Sequence, residues 1–438
     1  MLNAADNTLL TQVGPGTPMG NLFRRFWLPA LLEEELAEPD GAPVKLRLLG
    51  EDLVAFRATD GRIGILDAYC AHRRVHLYFG RNEENGIRCV YHGWKFGVDG
   101  QCLETPSEPV DNGIARRVKL TSYPAAERGG VIWVYMGGDA PPPLPDFEWS
   151  RMPETQRTVT KRVQRSNWAQ AVEGGIDSSH VSFLHKHNVK QPNPFKFQDS
   201  PLSWKYLELD RHPVFSVDDA DYGLLINARR NADPGTYYWR VTQFLLPFYT
   251  LTPPTVDPDG CERAAYYGHA WVPIDDHQCW TWSFHASPHH VYSPEEREFL
   301  QGRNGIWGPI DERYYPTLNM DNDYGLDRDR QRRDNFTGID GIQNQDAAVQ
   351  ESMGTIVDRS KERLGQSDLA IVRFRRLMLK LARELQAGQA PRAAAAGELF
   401  NVRPVTVLLP AGVPVAQGAA RLMHAAATPQ ENLAPMPG

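Results

Sequence analysis

From Cys70 to His92 the chain reads "CAHRRVHLYFGRNEENGIRCVYH". A Cys-x-His pair, Cys70 and His72, is followed after sixteen residues by a Cys-x-x-His pair, Cys89 and His92. Each short segment offers one thiolate and one imidazole. A structural zinc site usually draws its cysteines from one element and its histidines from another. The mixed pattern suits a two-iron, two-sulfide cluster in which one iron takes both cysteines and the other both histidines. Imidazole is neutral where thiolate is negative, so this cluster sits at a higher potential than an all-cysteine one. It can take an electron from a low-potential donor and pass it on. Cys102 has no histidine beside it and reads as a buried structural thiol. His76 reads as a surface or packing histidine.

A second group lies in "EGGIDSSHVSFLHKH" (173–187). Glu173, Asp177 and His180 stand at i, i+4 and i+7, which on a helix is one face. Trp168, Val172, Ile176, Val181 and Phe183 surround them, so burial is expected, and a buried carboxylate or imidazole needs a partner. His185 follows His180 by five residues, about 140° round a straight helix. The two meet on one metal only if the helix ends or widens between them. The Asn- and Pro-rich "HNVKQPNPF" favours an ending, whereas His187 suits a continuous helix. Spacing alone leaves His185 and His187 open. By chemistry, a carboxylate could come from Asp340, Asp346, Glu351 or Asp358, in and beside "GIQNQDAAVQESMGTIVDRSKE" (341–362).

The first spacing, with "YHGW" around its second pair, closely resembles Rieske [2Fe–2S] domains. "NWAQAVEGGIDSSHVSFLH" resembles the iron-binding segment of Rieske non-haem iron oxygenases, whose pattern is Asp-x-x-His-x4-His. The resemblance implies that Cys70 and Cys89 hold one iron of the cluster and His72 and His92 the other. It implies His180 and His185 as ligands of a mononuclear Fe(II), with Asp346 of "NQDAAVQESMG" as the carboxylate. Two histidines and one carboxylate leave positions open on iron for O2. Asp177, in this family, bridges a Rieske histidine of a neighbouring subunit and an iron-ligating histidine. "GPGTPMGNLFRRFWLPALL" and "GRNEENGIRCVYHGWKF" are similar to the phthalate dioxygenase-type branch. That branch implies one type of subunit, a homotrimer or a hexamer of two trimers, and a separate NAD(P)H-dependent reductase with a flavin and an iron–sulfur centre. One position departs from the pattern: Arg74 stands where many relatives have glycine.

These groups must be carried by two kinds of element. Residues 43–137 are strand-rich, with alternation in "VKLRLLG" and Asp-Gly turns at Asp60-Gly61 and Asp99-Gly100. Residues 1–42 read as an extended N-terminal arm. "GGDAPPPLPDF" marks a linker over 138–150. In 151–388 a long helix over 167–185 is expected, then alternating runs such as "YYWRVTQFLLPF" and "CWTWSFHAS", then a helix over 367–388. The alternation predicts an antiparallel sheet with one buried face. Residues 389–438 are Ala- and Pro-rich and read as an extended tail. The fold class is therefore α+β: an all-β Rieske domain followed by a helix-on-antiparallel-sheet catalytic domain.

The 438 residues allow two or three domains at roughly 150 residues each. A net charge of −7, with scattered basic residues, gives no case for nucleic-acid binding. No apolar run approaches the roughly 20 residues of a membrane helix, and the start has no signal-peptide pattern. Five cysteines suit a reduced, cytoplasmic protein. "GGIDSSH" is not a GxGxxG dinucleotide motif, which favours an external electron donor. The expected reaction is dihydroxylation of an aromatic acid, phthalate- or phenoxybenzoate-like, with O2. The substrate carboxylate calls for an arginine, and Arg240 in "YYWRVTQF" is the candidate anchor, with Ser178 and Ser179 adding hydrogen bonds. Lys205 is a weaker candidate; Phe183, Trp239, Phe244 and Trp307 are pocket or core aromatics. Competing readings are a monooxygenase or O-demethylase with the same metals, and a pure electron-transfer protein, against which the second histidine group argues.

Overall fold

The computed structural model describes residues 2–110, 112–186, 201–255 and 265–425. The chain divides into two compact units, Gln12–Leu144 with Pro273–Asp276, and Met1–Thr11 with Pro145–Val272 and His277–Gly438. Among the described residues no helix is long and apolar enough to cross a membrane.

The smaller unit is built of three antiparallel sheets. Strand β1 (Trp27–Leu32) pairs later with β10 (Val131–Tyr135), which also pairs β9 (Ala125–Arg128). A meander of β2 (Val44–Leu48), β3 (Glu51–Arg57) and β4 (Ile63–Asp67) forms the second sheet. The third is β5 (Arg81–Glu83), β6 (Gly86–Arg88), β7 (Lys95–Phe96) and β8 (Cys102–Glu104), in that order. Phe56, Leu66, Ile87, Trp94 and Phe96 pack with Cys70 and Cys89 in one core. The first 42 residues were expected as an extended arm. Instead they carry helices Ala4–Thr11 and Pro18–Phe23 and then β1. The second helix starts at a Thr17 cap, whose side chain accepts from the Gly20 amide, with Pro18 just inside. All six residues of "WLPALL" are buried in β1, because an apolar run this long gains more from pairing with β10 than from lying in water.

The larger unit is an antiparallel sheet covered by helices. The strands, in chain order, are β11 (Arg157–Gln164), β12 (Val214–Ala220), β13 (Gly223–Asn231), β14 (Thr236–Leu245), β15 (Tyr249–Thr252), β16 (Tyr266–Pro273), β17 (Cys279–Ala286) and β18 (Val405–Pro410). They lie in the order β11-β17-β16-β15-β14-β13-β12, with β18 also paired to β14. Strand β18 falls in the segment expected to be a tail. Its Val405, Val407 and Leu409 alternate onto a cluster with Val241 of β14, and that apolar face draws the segment back onto the sheet.

The helix expected over 167–185 is shorter, Trp168–Ile176. Asn167 caps its start by accepting from the Ala169 amide at 3.1 Å. Two causes stop it: Gly174 and Gly175 are weak helix formers, and Asp177 Oδ1 accepts from the Ser179 amide at 2.6 Å, a local bond that competes with helix continuation. The glycines also allow close packing. A Cβ on Gly175 would come within 2.0 Å of the Trp271 ring of β16, and one on Gly174 within 2.2 Å of Gln350 in helix Ile342–Ser352.

The shared face of Glu173, Asp177 and His180 therefore does not form. Glu173 is buried and turned to Arg359 (3.1 and 3.2 Å) and Arg375 (2.7 and 3.0 Å), of which Arg375 also binds Glu362. Burial pushes the Glu173 carboxyl up, but the two guanidinium groups outweigh it and hold it below the ordinary value. Its stabilising contribution is thus present above the unfolded carboxylate pKa and is lost as pH falls through the lower folded value. Glu173→Gln, leaving two buried arginines short of a counter-charge, is expected to cost about 3–5 kcal/mol at neutral pH, read as a lower urea midpoint of the catalytic unit, and to cost less in acid.

Candidate functional site

Cys70 and Cys89 open two turns of the same construction. The Cys70 amide donates to the Val75 carbonyl at 2.9 Å and the Cys89 amide to Trp94 at 2.8 Å. Each cysteine carbonyl accepts, at 2.9 Å, from the amide four residues on, Arg74 or Gly93. That fourth residue must be left-handed: φ is 59° at Arg74 and 76° at Gly93. At 93 only glycine fits, since a Cβ would lie 2.7 Å from Pro106 Cγ. Arg74 takes the same conformation with a side chain, and so carries strain. Its guanidinium pairs with Asp67 at 2.9 Å and lies 4.8 Å from the Tyr69 ring centroid.

The two turns bring their four donors together. Cys70 and Cys89 are buried with their sulfurs in hydrogen-bonding reach. His72 and His92 have ring centroids 4.6 Å apart, and His72 stacks on Trp94. His72 Nδ1 is buried and has no hydrogen-bond partner. Burial pushes the Cys70 thiol up, so a thiolate here needs a bound cation beside it. Two sulfurs, two imidazoles and an orphaned ring nitrogen fit a Rieske cluster. Cys102 is separate: its sulfur meets the Glu104 carbonyl at 3.5 Å, and burial pushes its thiol up to about 11. His76 Nδ1 accepts from the Tyr78 amide at 3.1 Å, a capping role.

In the larger unit the early end of the Trp168–Ile176 helix removes the 140° problem. His180 sits on a 3-10 turn, His180–Ser182, and His185 on the turn after it. His180 Nε2 and His185 Nε2 are 3.2 Å apart, and Asp346 Oδ1 lies 3.5 and 3.3 Å from them. Three donors converging this closely could hold one metal ion. The other carboxylates point elsewhere. Asp340 pairs with Arg330, Glu351 accepts from the Arg165 amide, and Asp358 binds Ser360 and Lys361. His187 lies outside the described residues.

Asp177 Oδ2 is 3.4 Å from His180 Nδ1. Burial raises the Asp177 carboxyl, but the hydrogen bond and charge of His180 win and hold it below the usual carboxylate value. Reciprocally, burial lowers His180 while Asp177 raises it, with a net rise. Two supporting residues were not foreseen. Arg230, fully buried, donates to Ser178 Oγ at 3.1 Å and to the Ser178 carbonyl at 2.5 Å, and so fixes the turn bearing Asp177. Burial pushes its guanidinium down to about 10. Gln345 Oε1 lies 2.8 Å from His185 Nδ1. Arg230 gave no sequence signal beyond its place in an alternating strand.

A cavity of about 270 Å³ adjoins the three donors. Its walls include Tyr267, His269 and Trp271 of β16, Thr281 and His285 of β17, and Arg240 and Thr242 of β14. Arg240 was the expected anchor; the β16 and β17 residues were missed, although the period-two alternation of "YYGHAW" and "TWSFHA" places those of each strand on one face. Burial lowers His269 to about 4 and His285 to about 3, so both are neutral near pH 7. Arg240 is buried; one Nη donates to the Pro253 carbonyl at 2.8 Å and the other has no partner. Ser178 lines the cavity, whereas Ser179 does not. Trp307 lines it too. Phe183 is exposed, Phe244 packs in the core against Phe374, Trp239 packs beside β18, and Lys205 pairs at the surface with Asp233.

A one-electron relay in one unit, and an open metal site beside a cavity in the other, are the equipment of a Rieske oxygenase. Residues 26–124 match the Rieske [2Fe-2S] domain family and residues 134–405 the family described as LigXa C-terminal domain like. The chain is 41% identical over 397 residues to the phthalate 4,5-dioxygenase oxygenase subunit of Pseudomonas putida, covering 89% of this chain and 88% of that one. It is 37% identical over 430 residues to the 3-chlorobenzoate-3,4-dioxygenase oxygenase subunit of Comamonas testosteroni, covering 93% and 95%. The crystal structure of dicamba monooxygenase bound to dicamba shares the fold, with TM-score 0.60 at 18% identity, covering 84% of this chain and 100% of that one. This chain belongs to the Rieske non-haem iron oxygenase family as an oxygenase subunit, an enzyme with a Rieske cluster and a mononuclear iron.

The paired turns generate an asymmetric prediction. Gly93→Ala adds a clash and left-handed strain, and is expected to destabilise by about 1–3 kcal/mol and to accelerate loss of the cluster's visible absorbance on heating. Arg74→Gly relieves strain as it loses an exposed ion pair, and is expected to stay within about 1 kcal/mol of wild type.

Proposed function

We propose that this chain dihydroxylates an aromatic acid, taking electrons from a separate reductase. The observation that carries the substrate class is Arg240, a buried guanidinium with an unpartnered Nη on the wall of the cavity that His180, His185 and Asp346 also line. A planar guanidinium recognises a carboxylate bidentately, and burial strengthens the pairing. The relatives named for phthalate and 3-chlorobenzoate act on aromatic acids, which agrees.

In this reading Cys70 and Cys89 hold one iron of the cluster, His72 and His92 the other, and His180, His185 and Asp346 the mononuclear iron. When bound, the iron supplies reductive activation of O2. The chain's own residues do the rest. Arg240 fixes the carboxylate, and the Ser178 hydroxyl, which accepts from Arg230, keeps its hydrogen for the substrate. Trp271 and Trp307 offer flat apolar walls for the ring. Asp177 accepts from His180 Nδ1–H and orients that imidazole. Its carboxylate remains partly exposed, which suits a second hydrogen bond from a Rieske histidine of another copy. Both oxygen atoms enter adjacent ring carbons, with two electrons and two protons, to give a cis-dihydrodiol.

The assembly proposed is a homotrimer or a hexamer of two trimers, working in the cytoplasm. Its support is an exposed apolar rim of Tyr78, Phe79, Val90 and Tyr91 close in sequence to His92, which would be costly to leave in water. The electron source proposed is an NAD(P)H-dependent reductase with a flavin and an iron–sulfur centre, in keeping with the lack of a dinucleotide motif here.

Three outcomes test this. With labelled O2, two labelled atoms in the product indicate dioxygenation, whereas one labelled atom, or loss of a methyl group, indicates a monooxygenase or O-demethylase. Arg240→Ala is expected to raise KM for aromatic acids by about 10–100-fold with a smaller change for uncharged arenes; unchanged KM removes Arg240 as the anchor. Asp177→Asn is expected to retain both metals while electron delivery to the mononuclear site stops, seen as a reduced cluster that is not reoxidised in the presence of substrate and O2. Normal turnover by that variant would sink the bridging role.

A further inference from the structure

Histidine binds a metal only through a nitrogen that carries no proton, and the partner of the other nitrogen decides which one that is. His185 Nδ1 faces Gln345 Oε1 at 2.8 Å. An amide can donate or accept, so its far end decides. Gln345 Nε2 donates to the Ile339 carbonyl at 2.9 Å, and that carbonyl also accepts from Asn335 Nδ2 at 3.1 Å. A carbonyl cannot donate, so the amide is held with Oε1 toward His185. The imidazole proton is thereby placed on Nδ1, and Nε2 presents its lone pair toward His180 and Asp346. Gln345 is fully buried and His185 nearly so, leaving no water to compete for the bond.

The other side of the same ring faces the next residue in sequence. Asp346 Oδ1 lies 3.3 Å from His185 Nε2. Neighbouring residues on a helix diverge by about 100°. Here the divergence lets two consecutive positions of helix Ile342–Ser352 reach opposite nitrogens of one imidazole. His180 is treated differently, since its Nδ1 meets a charged and partly exposed carboxylate, Asp177.

We infer that Gln345 is the positioning residue for His185, fixing its tautomer and ring orientation so that His185 and Asp346 meet the metal in register. The inference rests on the proposed ligand set His180, His185 and Asp346.

The test is cobalt(II) binding by full-length protein that keeps its Rieske cluster and has been depleted of mononuclear metal, followed by titration calorimetry. Gln345→Met, close in size but without the acceptor, is expected to weaken binding by about 10–100-fold. Gln345→Glu restores an acceptor oxygen at the same reach and is expected to bind at least tenfold more tightly than Gln345→Met. Thermal midpoints of the metal-depleted variants report any general damage, which would weaken both variants alike. A Gln345→Met protein that binds cobalt within threefold of wild type, or a Gln345→Glu protein no better than Gln345→Met, overturns the inference. Asp346→Ala separates the two levels: if it leaves wild-type cobalt binding intact, the ligand set itself fails, whereas loss of binding in Asp346→Ala alone keeps the ligand set and discards the role of Gln345.

Discussion

The catalytic unit depends on where one helix stops. If Trp168–Ile176 ran on, His180 and His185 would project about 140° apart and could not share a metal. The glycine pair and the Asp177–Ser179 bond end it, and Arg230 holds the resulting turn through both the hydroxyl and the carbonyl of Ser178. With the turn set, two histidines from consecutive short turns face one aspartate from a helix more than 150 residues away. The same glycines bring that helix and β16 close enough for the donors to meet.

Around this point the protein buries charge in matched groups. Glu173 is enclosed by two arginines, and Asp177 and Asp346 by two imidazoles. In each case burial pushes the carboxyl up, and the neighbouring positive or hydrogen-bonding group outweighs it. The cavity wall beyond is different. His269 and His285 are buried without a carboxylate bonded to them and stay neutral, so the guanidinium groups there are those of Arg162 and Arg240, each with one buried nitrogen left without a partner. Beyond the metal donors, a wall of polar and aromatic groups with two guanidinium groups suits the flat acid proposed above.

The smaller unit reaches its site by repetition. Two turns with the same hydrogen bonds present one sulfur and one imidazole each. The backbone demand at their fourth residue is met by glycine in one and by a strained, externally braced arginine in the other. The departure at Arg74 thus leaves the donors in place and moves its cost to the loop surface.

Much of this was legible in the residues. The Cys-x-His and Cys-x-x-His pairs stated their chemistry because both ligands of each pair lie within one turn, where sequence distance and spatial distance are nearly the same. The all-β and helix-on-sheet classes followed from alternation, which local sterics impose. The readings that changed were those that depended on distant contacts. Residues 1–42 and 405–410 looked extended because their pairing partners, β10 and β14, lie far along the chain. Glu173 looked like part of one helix face with Asp177 and His180 until Arg359 and Arg375, about 200 residues on, claimed it. Arg230, Gln345 and the cavity face of β16 and β17 were invisible as function because a single strand or helix does not reveal what it faces. The sequence by itself determined which donors the chain owns and the local turns that pair them. Only the tertiary structure decided which carboxylate of four meets the histidines and which arginines face the cavity, because those choices depend on packing between elements that local geometry does not encode.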